Sequence, residues 1–197
     1  LRYCRNVTRG IITALREKKA NMLIMGWHGK PGGGLFSIGS TVDPLLESAP
    51  CDVIIMKNCN NGDYENILVP VAGGPNSSLA LETALMLSTA DTKITLFSVI
   101  TGGKPFDPAS LLNRDFSSYE IPESNISARS VPGKDVKKAI LDEAENYDMV
   151  VIGASQKPLL SHVFHGTLPE EVAEKCPKPL IMVSANRGIR SWLRRWF

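Results

Sequence analysis

The chain has 197 residues, 43% of them hydrophobic and 21% charged, which describes an ordinary globular protein with room for one full domain and a remainder. No apolar run approaches the roughly 20 residues that a bilayer span requires and no secretory leader opens the sequence, so the expected compartment is the cytosol. The net charge of +2 divides into three parts: residues 1–58 carry 8 basic and 4 acidic side chains, residues 59–186 carry 10 and 16, and residues 187–197 carry 4 and none. Without a broad basic face, nucleic-acid binding is not expected.

In chain order, apolar periodicity predicts a helix over 7–18, a strand at 22–25, a loop at 26–38, a helix at 40–48 and a strand at 53–57, followed by a polar linker. A strand at 67–71 leads through Gly73-Gly74-Pro75-Asn76-Ser77, a turn and helix-start signal, into a helix at 77–89 with Leu79, Leu81, Ala84, Leu85 and Leu87 on its apolar face. Then come a strand at 94–100, a polar stretch at 101–123 with one short helix near 108–113, and a strand at 126–131. A helix at 134–146, a strand at 149–152, a helix at 168–175 and a strand at 179–183 complete the series. Such alternation implies a parallel sheet covered by helices on both faces and joined by right-handed crossovers.

One loop pattern occurs twice, 127 residues apart: Gly26-Trp27-His28-Gly29, nine residues, Gly39-Ser40 with Thr41 behind; then Gly153-Ala154-Ser155-Gln156, nine residues, Gly166-Thr167. Each copy follows an apolar strand and leads into a helix, so both lie at the carboxyl end of a strand, where open α/β sheets bind ligands. Gly26 and Gly29 let backbone N–H groups approach an anion, and Ser40 and Thr41 stand where a helix start presents unpaired donors; Lys30 adds charge. Those glycines also suit a tight strand-to-helix turn that binds nothing. In the second copy Gln156 replaces the second glycine, while Gly153, Gly166 and Thr167 remain.

Other chemistry is sparsely signalled. His162 and His165 lack companion ligands at metal spacing, and His28 has no recognisable nucleophile elbow, so neither a metal nor a catalytic residue is expected. Glu170, Glu171 and Glu174 read as an exposed helix face. Cys4, Cys51, Cys59 and Cys176 show no C-x-x-C spacing and read as reduced thiols. In the tail, Arg187, Arg190, Arg194 and Arg195 alternate with Ile189, Trp192, Leu193, Trp196 and Phe197, a pattern that suits a membrane surface or a partner's groove, or else apolar packing on the tail's own domain.

With G-x2-G-x9-G-[S/T] after a strand, and a proline just before each last strand (Pro50, Pro177), the chain resembles the universal stress protein family over nearly all of residues 4–185. The resemblance implies an α/β fold, an open parallel sheet with helices on both faces, as the C-terminal half of one repeat (1–58), a linker (59–63), a complete repeat (64–185) and a basic aromatic tail (186–197). It assigns nucleotide binding to Gly26, Gly29, Gly39, Ser40 and Thr41 in the first copy and to Gly153, Gly166 and Thr167 in the second. Nucleotide-binding relatives place an Asp at the end of the first strand, and Ala72 stands there here, so no cofactor is expected unless ATP binds in spite of this. The first half leaves a sheet edge and faces uncovered, which implies that the chain is a fragment or that this half docks on something else.

Residues 25–29 and 39–46 further resemble tandem domains at the cytoplasmic carboxyl end of amino acid–polyamine–cation superfamily permeases and prokaryotic cation–chloride cotransporters. This implies a non-enzymatic regulatory and dimerisation domain, partnered by the transporter's own transmembrane domain and tethered at the inner membrane. The two repeats would pair through strands 53–57 and 179–183 as a pseudo-symmetric unit, further pairing between subunits would give a homodimer, and Arg187, Arg190, Trp192, Arg194, Arg195 and Trp196 would face the inner leaflet. The alternative is a soluble stress-response protein that binds ATP and hydrolyses it slowly.

Overall fold

A computed structural model describes residues 5–27, 42–59, 62, 64–102, 105–154 and 167–186. Helix α1 (Val7–Lys18) starts at Asn6, whose side chain accepts the Arg9 backbone N–H at 3.0 Å, and stops at Lys19, which turns into the left-handed region with φ 50°. Strand β1 (Met22–Trp27), helix α2 (Val42–Ser48) and strand β2 (Asp52–Lys57) follow. Leu15 of α1 and Leu45 of α2 are buried where the two helices pack together.

The longer portion runs β3 (Asn66–Pro70), α3 (Gly74–Leu87), β4 (Lys93–Ile100), two short 3-10 turns (Pro108–Leu112, Glu123–Asn125), β5 (Ile126–Pro132), α4 (Val136–Ala144), β6 (Met149–Gly153), α5 (Leu168–Lys175) and β7 (Leu180–Ser184). All seven strands join one sheet in the order β1-β2-β7-β6-β3-β4-β5. Every pairing is parallel except that of β2 with β7, which is antiparallel with Ile55 opposite Met182. The expected pairing of 53–57 with 179–183 is therefore present, and it makes the sheet mostly rather than wholly parallel.

Two cores flank this sheet because successive strand residues point to opposite faces. Ile54, Ile67, Val69, Met149, Val151, Ile181 and Val183 form one face with α3. Val53, Ile55, Leu68, Val150, Ile152, Leu180 and Met182 form the other with α4 and α5. The near-continuous apolar runs of β3, β6 and β7 reflect burial on both sides. Among the described residues no helix is long and apolar enough to cross a membrane.

Element limits differ from expectation in three instructive places. Helix α3 begins at Gly74 rather than 77, because Gly73 takes φ 88° at the N-cap and Pro75 is tolerated in the first turn, where no N–H is required of it. Helix α4 is shorter than 134–146, since Asp135 caps it by accepting the Lys138 N–H at 3.0 Å. Strand β1 continues through Gly26 and Trp27, which pair with Met56 and Lys57 of β2.

Candidate functional site

The carboxyl ends of β3, β6 and β7 converge on the start of α3. After β3, the Val71 N–H donates to the Phe97 carbonyl at 2.8 Å, and the chain turns at Ala72 and Gly73. The Ala72 N–H donates to Ser77 Oγ at 3.2 Å, and that hydroxyl donates to the Gly73 carbonyl at 2.9 Å, closing the turn on itself. The half-buried ring of Phe106 lies against Gly73, where a Cβ would sit 3.1 Å from its Cδ2 and Cε2. A side chain at residue 73 would be strained by the positive φ and crowded by that ring.

Asn76, in the first turn of α3, is buried and has both ends of its carboxamide engaged. Its Nδ2 donates to the Ala154 carbonyl at 2.6 Å, just past β6, and its Oδ1 accepts the Ala185 N–H at 2.8 Å, just past β7. One side chain thereby ties the start of a helix to the ends of two strands. The approach is so close that a Cβ on Gly153 would lie 2.8 Å from the Cβ of Asn76 and 2.9 Å from its carbonyl carbon. Glycine at 153 is a packing requirement of α3.

Thr167 is the N-cap of α5, and its backbone N–H donates to Glu170 Oε2 at 3.0 Å. Pro169 brings no N–H to that first turn, and Glu170 and Glu171 place two carboxylates there. A helix start attracts anions through free donors and a positive dipole end, and here one donor is taken, one is missing and the charge is opposed. Glu170 and Glu171 are not simply an exposed face as expected: Glu170 caps the helix, and Glu171 pairs with Lys137 of α4. Only Glu174 remains exposed.

In the first copy of the loop, Gly26 lies within β1 and is exposed. Gly29, Gly39, Ser40, Thr41, Lys30, His28, Gln156, His162, His165, Gly166 and the tail residues 187–197 lie outside the described residues. Next to Gly26, the indole of Trp27 has a buried Nε1 without a partner among the described residues, and Lys57 Nζ stands 5.5 Å from its ring centroid. That ammonium also donates to the carbonyls of Ala173, Glu174 and Cys176, the last turn of α5. Burial pushes Lys57 below the ordinary lysine value.

Cys51, Cys59 and Cys176 are free thiols, all pushed above the ordinary thiol value first by burial. Among the described residues no group of three or more His, Cys, Asp and Glu side chains is placed to hold a metal. Sequence reading missed Asn76, Phe106 and Lys57 as site-forming residues. Asn76 was legible only as a turn residue, and nothing local signals a partner 109 positions away.

Comparison with known proteins gives this geometry a family. The model of the universal stress protein family matches residues 4–57 and again 63–184. A universal stress protein from Archaeoglobus fulgidus DSM 4304 superposes with a TM-score of 0.63 at 19% identity, covering 92% of this chain and 67% of that one. A functionally unknown protein from Pseudomonas aeruginosa PAO1 gives 0.55 at 14% identity, with 91% and 68% covered. At such identities these likenesses speak to the fold alone. Among curated proteins, the Na(+)/H(+) antiporter NhaS5 of Synechocystis sp. is 22% identical over 189 residues, which span 92% of this chain and 27% of that protein's length. With two matches that together take in most of its length, the chain belongs to the universal stress protein family.

Proposed function

We propose that the chain is a non-enzymatic regulatory and dimerisation module of a membrane transporter, built from one half and one complete repeat, with a degenerate nucleotide site. The observation that carries this reading is Asn76, whose carboxamide occupies the crevice between the ends of β6 and β7 and satisfies both. In an open α/β sheet a ligand is received outside the carboxyl ends of the strands at the topological switch point, here between β3 and β6, which the turn at Ala72 and Gly73 and the end of β6 border. Ala72 offers no carboxylate to a ribose, Phe106 covers Gly73, and the start of α5 is capped by its own Glu170. The described residues of the complete repeat therefore fit a purine nucleotide poorly.

The distant likeness to an antiporter supports a transporter setting. The resemblance of residues 25–29 and 39–46 favours a cation–chloride cotransporter or an amino acid permease as the host, with the module on the cytoplasmic side of the membrane and its transmembrane domain as partner. Regulation then acts through packing across the β2–β7 seam, and the basic aromatic tail contacts the inner leaflet. Calorimetric titration of the native polypeptide with Mg-ATP tests the central point. No saturable heat up to millimolar nucleotide is expected. Micromolar binding overturns the reading in favour of a soluble ATP-binding stress protein, as does recovery of the native polypeptide wholly in the soluble fraction.

A further inference from the structure

Helices α1 and α4 begin alike. Asn6 and Asp135 are their N-caps and accept the backbone N–H of Arg9 and of Lys138, so Arg9 and Lys138 hold the same place in the first turn of each helix. Each helix leads through a strand into a second helix, where Leu45 of α2 and Val172 of α5, 127 positions apart, are both 0% exposed. One helix pair is thus present twice, with different side chains.

In the α4–α5 pair the cations have acids. Lys137 pairs with Glu171 across the two helices, and Lys138 pairs with Asp142 one turn on. Asp142 first, then Asp135 and Glu145, hold the exposed Lys138 above the ordinary lysine value. The α1–α2 pair has none of these acids: Thr13 stands in the place of Asp142, Asn6 of Asp135, Arg16 of Glu145 and Pro44 of Glu171. Lys137 is matched by Thr8, yet the cation of Lys138 is retained in Arg9 and a second is added in Arg16. Both arginines are exposed, and neither guanidinium has a partner among the described residues. Where the complete pair is bridged by Lys137 and Glu171, the first pair has a groove of about 430 Å³. Arg9 and Arg16 line it two turns apart, about 10 Å along the helix, with half-buried Ile12 and Pro44 adding apolar surface.

We propose that this groove is a docking site for an acidic, extended segment of a partner polypeptide, which gives one carboxylate to Arg9 and one to Arg16. A polyproline II segment repeats its side-chain direction every three residues, about 9 Å, close to the spacing of the two arginines. Each planar guanidinium receives a carboxylate through paired N–H donors, and the apolar surface takes the residues between. A concave channel between two helices suits a chain segment better than a flat lipid surface. The inference stands on charge and shape at α1 and is independent of nucleotide binding and of any transporter.

Fluorescence anisotropy of the 197-residue chain with a short labelled peptide, carrying two glutamates three positions apart, tests it. Saturable binding at low salt is expected, weakened about tenfold by Arg9→Gln and by Arg16→Gln. Thr13→Asp, which gives Arg9 the internal acid that Lys138 has, is expected to weaken it likewise. Lys138→Gln, whose cation is already paired, should leave binding unchanged. All four substitutions are at exposed side chains, so each variant should melt within about 2 °C of the parent. No binding by the parent overturns the proposal. Equal binding by the parent, Arg9→Gln and Thr13→Asp overturns it too, because the affinity then resides in other cations. Vesicles of phosphatidylcholine with phosphatidylserine are the second probe: if they bind and respond to these substitutions while the peptide does not, the surface is a membrane contact and the proposal fails.

Discussion

Asn76 ties the start of α3 to the ends of β6 and β7, because it replaces water for two strand ends at once. Removing it leaves the Ala154 carbonyl and the buried Ala185 N–H without partners, and an unmet buried polar group costs about 1–3 kcal/mol. Asn76→Ala is expected to lose that amount, read as a fall in the denaturation midpoint at unchanged m-value. A variant within 0.5 kcal/mol of the parent, on the order of an ordinary surface change, would contradict the role. At this scale the sequence was legible in part. The spacing of glycines announced two strand-to-helix loops, but it could not say that Gly153 answers to the Asn76 backbone, since the two are brought together only by the sheet.

Elements were more legible than their contacts. Near-continuous apolar runs gave β3, β6 and β7 to within a residue or so, because strands buried on both faces are depleted of polar residues. Local periodicity holds no information on the antiparallel β2–β7 pairing, which the family's manner of pairing suggested instead. Across that seam Lys57 reaches from β2 to the carbonyls that end α5, an arrangement that satisfies orphan acceptors and meets the negative end of the helix dipole. Lys57→Met is expected to loosen α5 by about 1–2 kcal/mol, seen as faster amide exchange in Leu168–Lys175 than in β4. The pH dependence has a definite sign. Burial lowers the Lys57 value in the folded state, so between that value and the unfolded one the unfolded chain binds more protons, and the parent gains stability as pH rises. The deficit of Lys57→Met should therefore widen toward alkaline pH. A deficit that narrows would show that the charge is favoured where it lies.

For the molecule as a whole, β2 does for β7 what nothing described does for β1. Leu180–Ser184 carries no charge and no proline, so it has no edge protection of its own, and β2 closes it through the Val53 to Lys57 ladder. The five strands β3 to β7 already hold both cores of the longer portion, with Ile67, Leu68, Val150, Val151 and Leu180 at 1% exposure or less. Deleting residues 1–59 should therefore leave a folded protein with an open, apolar β7 edge. Two such edges satisfy each other in the antiparallel sense that β2 and β7 already display, since a two-fold axis normal to the sheet keeps each core on its own face. Sedimentation equilibrium of the shortened chain is expected to give twice its monomer mass. A folded monomer at tens of micromolar, about the range where weak symmetric interfaces dissociate, would mean that the seam is held by side chains such as Lys57 and Asp52 and that the backbone ladder contributes little alone.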